Sequence, residues 1–151
     1  MITKSKIGMM GALACSVALA GCATVEEAVV QKTATTYHAT LTGAQEPMGG
    51  DPDGYAKAQV SVADNLDQIC YDINDIRNIG PVTGVHIHRG AVGVDGPVVM
   101  PLMQANEGGW KGCVDKSEWL QEAIENRFTN FYVNIHTAEY PNGAIRGQLG
   151  D

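Results

Sequence analysis

The chain has 151 residues and carries 10 Lys and Arg against 17 Asp and Glu, a formal net charge of −7. That acidity argues against nucleic-acid binding, because phosphate contacts need Lys and Arg, and against lying flat on an anionic lipid surface. The length suits one domain with one core.

Lys4 and Lys6 precede an apolar, small-residue-rich run from Ile7 to Ala20. This is the pattern of a processing signal, too short for a spanning helix of about 20 residues. The run ends in Leu19-Ala20-Gly21-Cys22, which resembles the lipobox of bacterial lipoproteins. The resemblance implies a lipoprotein signal peptide over 1–21, cleavage before Cys22, a diacylglycerol on its thiol and a fatty acyl group such as palmitate on its amine. Each buried methylene adds about 0.8 kcal/mol, so several chains give firm anchoring. Ala23 stands where inner-membrane lipoproteins carry Asp, so the expected location is the outer membrane, facing the periplasm or the cell surface. Processing removes two lysines and no acid, which takes the formal charge from −7 to −9. Residues 22–36 show no strong period and are expected to be a lipidated tether, and 37–151 the folded domain.

Of the four cysteines, Cys15 leaves with the signal and Cys22 carries lipid. Cys70 and Cys113 remain, in an oxidising compartment where a disulfide is the default. Neither belongs to a CxxC pair.

Tyr37 to Gly43 alternates apolar and polar residues and predicts a first strand. The stretch from Gly43 to Gly54 is rich in Gly, Pro and Asp and predicts a loop. Tyr55 to Ala63 alternates again. Gln68 to Ile76 predicts a third strand, with Ile69, Tyr71, Ile73 and Asp75 sharing a face. Gly80-Pro81 breaks the chain. In Thr83-Gly84-Val85-His86-Ile87-His88-Arg89-Gly90, strand parity puts Gly84, His86 and His88 on the face opposite Thr83, Val85 and Ile87. Gly90 to Pro97 is a second glycine-rich loop without the spacing of a phosphate cradle. Val98 to Leu102 and Trp110 to Val114 are short strands. Asp115 and Glu118 resemble a capping box, and Trp119, Leu120, Ala123 and Ile124 fall on one face of a helix expected over Lys116 to about Arg127. Phe131 to Thr137 and Ala144 to Leu149 close the chain as strands, joined by Pro141-Asn142-Gly143 turn chemistry. Asn134 and His136 share a face opposite Phe131, Val133 and Ile135. Many short alternating strands with one helix inserted late predict an all-β antiparallel sandwich, with a small closed barrel as the alternative.

Four motifs carry a further resemblance: Leu41-Thr42-Gly43-Ala44-Gln45-Glu46-Pro47, Gly84-Val85-His86-Ile87-His88, Gly96-Pro97-Val98-Val99, and Tyr132-Val133-Asn134-Ile135-His136-Thr137 with Pro141-Asn142-Gly143-Ala144-Ile145-Arg146-Gly147-Gln148-Leu149. In this order they resemble the CHRD domain, first described in chordin, from about Tyr37 to Leu149. The resemblance implies an immunoglobulin-like β fold. It says less about activity, since a fold hosts many functions.

Three readings of the histidines follow. If the two His-bearing strands are neighbours, His86, His88 and His136 converge on a metal site suited to copper or zinc, with His38, Glu46 or Glu139 as further ligands. Alternatively His86, His88, Asn134, His136 and Arg146 satisfy one another as a polar layer. A copper- or zinc-dependent redox enzyme on a superoxide-dismutase-like sandwich is the catalytic alternative. The dinuclear site of that enzyme uses six histidines and one aspartate, and this chain has four histidines in all. No GxSxG motif is present. The expected role is therefore a non-catalytic binding module that presents its loops to a protein partner. In those loops Glu46, Asp51, Asp53 and Asp95 could hold calcium weakly, without EF-hand spacing.

Overall fold

The computed structural model describes residues 34–63, 68–115, 123 and 127–150. Eight strands account for most of them: β1 (Thr35–Thr42), β2 (Tyr55–Ala63), β3 (Gln68–Arg77), β4 (Val82–Arg89), β5 (Val98–Leu102), β6 (Trp110–Asp115), β7 (Phe131–Thr137) and β8 (Ile145–Gln148). They form one antiparallel sheet in the order β5-β4-β7-β8-β1-β2-β3-β6. The sheet curls until its two edge strands touch. Across that seam the Tyr71 hydroxyl of β3 accepts a hydrogen bond from the Met103 amide at 2.9 Å and reaches the Met103 carbonyl at 3.1 Å. The expected sandwich is thus a single sheet nearly closed on itself, which leaves little edge exposed to another chain.

The alternation in sequence sets what faces inward. Leu41 of β1, Val60 of β2, Ile69 of β3, Val85 and Ile87 of β4, Phe131, Val133 and Ile135 of β7 and Ile145 of β8 are all at most 1 % exposed and share one core. Each such side chain contributes roughly 1.5–3 kcal/mol by leaving water. Phe128 is packed between Tyr37 and Phe131, with ring centroids 4.4 and 5.5 Å away.

Cys70 and Cys113 face each other directly in the β3–β6 ladder and are joined in a disulfide. It ties edge strand β6 to the sheet across a sequence separation of 43, and stabilises by about 2–4 kcal/mol.

Two expectations need correction or restriction. Asp75 does not share the inward face of Ile69, Tyr71 and Ile73. The β2–β3 register shifts between Tyr55 and Lys57, and Asp75 adopts φ 52° at that irregularity. Its carboxylate is turned out to Arg77 and Lys57 at 3.7 and 4.0 Å, and Ile76 packs on the core instead. The helix expected over Lys116 to about Arg127 lies outside the described residues except at Ala123, which is helical and wholly buried, and at Arg127, which is an exposed turn residue with φ 49°. The signal, Cys22 and all but the last three residues of the tether also lie outside them. No helix among the described residues is long and apolar enough to cross a membrane.

Candidate metal centre

Strands β4 and β7 are neighbours, and their register pairs Gly84 with His136, His86 with Asn134 and His88 with Tyr132. Beyond β7, Asn134 pairs with Arg146 and Tyr132 with Gln148 of β8. Period-two alternation then places His86, His88, Tyr132, Asn134, His136, Arg146 and Gln148 on one face, opposite the apolar core. This outer face is polar yet covered: Arg146 is 1 % exposed and Asn134 2 %.

The three histidines meet. Ring centroids lie 4.8 Å apart for His86 and His136, 5.7 Å for His86 and His88, and 6.1 Å for His88 and His136. One ligand atom from each lies within 4.8 Å of the others. Gly84 is part of the reason. A Cβ there would stand 3.3 Å from Cε1 and 3.4 Å from Nε2 of His86. The bare backbone opposite His136 gives the His86 ring room to lean across.

Hydrogen bonds fix the tautomers. His88 Nδ1 is 2.9 Å from the Gly96 carbonyl and His136 Nδ1 is 3.0 Å from the Pro141 carbonyl. A carbonyl can only accept, so both Nδ1 atoms carry the proton and both Nε2 atoms keep a free lone pair. Among the described residues, His88 Nε2, His136 Nε2 and His86 Nδ1 are buried nitrogens without a hydrogen-bond partner. Burial, and the neighbouring imidazoles, hold His86 below the usual histidine pKa. Burial does the same for His88, against the opposing pull of the Gly96 carbonyl. Imidazoles with an unpartnered nitrogen, two of them locked by a backbone carbonyl at the other nitrogen, are the donor arrangement of a metal centre. Donors at 2.0–2.1 Å from one tetrahedral ion stand about 3.4 Å apart, so the rings must draw together by roughly 1.5 Å at most on binding.

A ring stack supports this cluster. Tyr132 lies almost parallel to His88 at 4.8 Å, and the Arg146 guanidinium sits 3.4 Å from the Tyr132 centroid. The 90–97 loop closes over the stack. The Gly96 amide donates to the Tyr132 hydroxyl at 3.1 Å, Arg146 donates to the Ala91 carbonyl at 2.8 Å and pairs with Asp95 at 3.5 Å, and Gln148 donates to the Gly90 carbonyl at 2.9 Å.

The other candidate ligands lie elsewhere. His38 shares the outer face but is exposed, bridged to Gly150 and lining a groove with Lys57 and Gln148. Glu139 is exposed and lines an open recess with Asp51, Asp53 and Tyr140. Glu46 is buried beside Asn134. A Cβ on Gly143 would stand 2.6 Å from Glu46 Oε1 and 2.8 Å from Asn134 Nδ2. Burial pushes the Glu46 carboxyl up to about 7, with Arg146 opposing and Asp95 reinforcing the rise. It belongs to the polar layer around the centre, not to the three grouped donors.

Sequence reasoning missed Tyr132 and the Gly96 and Pro141 carbonyls. Tyr132 was within reach, since it shares parity with Asn134 and His136. The carbonyls have no sequence signal, because any residue supplies one.

A family model for the CHRD domain matches residues 37–149. No curated protein and no solved structure matches the chain.

Proposed function

The chain belongs to the CHRD domain family, and from that premise we propose that it is a non-catalytic binding module that holds one transition-metal ion, copper or zinc, through His86, His88 and His136. The observation that carries this reading is the convergence of three buried, unpartnered imidazole nitrogens, two of them on rings whose other nitrogen is spent on a backbone carbonyl. A polar layer built only for stability would use those lone pairs, since a buried polar atom without a partner costs about 1–3 kcal/mol. Here the three rings bring one ligand nitrogen each to within 4.8 Å of the others.

The leader completes the proposal. Lipid on Cys22 would tether the domain to the outer membrane by the residues between Cys22 and β1, which begins at Thr35 and not after residue 36 as expected, and carry the centre in the periplasm or at the cell surface, where a protein partner meets it. The aqueous side of the centre is half-open at His86 and His136, so an ion there can exchange a ligand with solvent or with that partner.

Metal content of protein purified without a histidine tag tests the reading. About one copper or zinc per chain is expected, falling to near zero for His86→Ala, His88→Ala or His136→Ala, while His38→Ala retains it. Retention of the ion by all three variants would refute the site.

A further inference from the structure

We infer that the three-histidine centre selects the monovalent cuprous ion over divalent zinc; this rests on the metal-binding reading above. The argument is one of charge and coordination number. The grouped donors are three imidazoles and include no thiolate or carboxylate, so the ion keeps its full charge in the site. The cost of taking an ion out of water grows with the square of its charge, and only neutralising ligands offset it. A dication therefore loses far more than a monocation on entering a neutral donor set.

The surroundings do not supply the missing anion. The full charges that act on His88 are Arg146 and Asp95, which have opposite signs and pair with each other at 3.5 Å. At His86 burial is joined by the other two histidines, both of which disfavour positive charge there. Glu46, the remaining acid of the layer, lies beside Asn134 and Gly143 and feels the charges of Arg146 and Asp95. Arg146, wholly buried against Tyr132, adds positive charge on the His88 side.

Coordination points the same way. Zinc completes four ligands and cupric copper prefers a four-fold tetragonal arrangement, so both must take a further ligand, such as water from the half-open side, onto these three. Three imidazoles from two adjacent strands form a tripod that satisfies a three-coordinate cuprous ion by itself.

The test is a pair of competition titrations on the unprocessed chain, with the thiols of Cys15 and Cys22, which the lipidated protein would not carry free, alkylated. Cuprous ion is titrated anaerobically with ascorbate against bathocuproine disulfonate, and zinc against a chromophoric zinc chelator. One cuprous ion per chain should bind at least 100-fold more tightly than zinc, and His88→Ala should abolish both. Asn134→Asp, which sets a carboxylate directly across the ladder from His86, should narrow the preference about tenfold. Zinc binding as tight as cuprous binding, with both lost in His88→Ala, overturns the selectivity and leaves the centre standing. Failure of both ions to bind, or binding untouched by His88→Ala, removes the centre itself. The comparison on the parent protein decides between these outcomes even where Asn134→Asp does not fold.

Discussion

Replacing Tyr132 by Phe removes one oxygen and leaves the ring. The stack on His88 at 4.8 Å and under Arg146 at 3.4 Å keeps its partners. What is lost is the acceptor for the Gly96 amide, 3.1 Å from the hydroxyl. An unsatisfied buried donor costs about 1–3 kcal/mol, so urea unfolding at neutral pH should report a stability loss in that range. The same residue, Gly96, holds His88 Nδ1 through its carbonyl. Loosening it frees the His88 ring to rotate, and loss of such an outer-sphere support typically weakens metal binding about 10–100-fold. Because the hydroxyl acts through Gly96, a loss near the lower figure is expected. Competitive titration of the parent and Tyr132→Phe with zinc reads it. A destabilised variant whose affinity matches the parent's would refute the claim that the 90–97 loop positions His88 as a ligand.

Three further outcomes follow from the same geometry. Glu46 has its carboxyl raised to about 7 from an ordinary 4.5, so the folded state binds its proton more tightly than the unfolded chain, and stability must fall as pH rises between those values. Glu46→Gln should flatten that part of the pH–stability curve and exceed the parent most at about pH 8; an unchanged slope would contradict the burial of Glu46. Reduction of the Cys70–Cys113 bridge should lower stability by about 2–5 kcal/mol in urea unfolding and release β6 first in hydrogen exchange, whereas uniform exchange across the sheet would place its effect elsewhere. Cys22→Ser should move the protein from the membrane to the soluble fraction and abolish fatty-acid labelling, and unaltered partitioning would rule out the lipid anchor.

Parity made the centre legible in the sequence. It needs only alternation along β4 and β7 to set His86, His88 and His136 on one side, and adjacency of those strands to bring them together. The strands were legible to within a residue or two at each end, because Gly80-Pro81, the 90–97 loop and Pro141-Asn142-Gly143 punctuate regular alternation. Parity also has a definite limit, which His38 shows. It shares the outer face, but β8 separates β1 from β7 in the sheet order, and nothing in the residues of β1 announces that order. Asp75 marks another limit, since one register shift turns a strand's faces over and no residue of β3 signals it. Glu46 was legible as a candidate but not in its place. Its burial depends on the close approach of Gly143 and Asn134, a contact made by folding across 88 to 97 positions of sequence.

X-ray absorption at the metal edge, on untagged protein with its ion bound, tests the central claim most directly. Three imidazole nitrogens in the first shell, at about 2.0–2.1 Å for zinc, with the imidazole outer-shell pattern of three rings, are the expected result. A sulfur shell near 2.3 Å, as cysteine ligation would give, or a shell with fewer than two imidazoles in the parent protein, would contradict it.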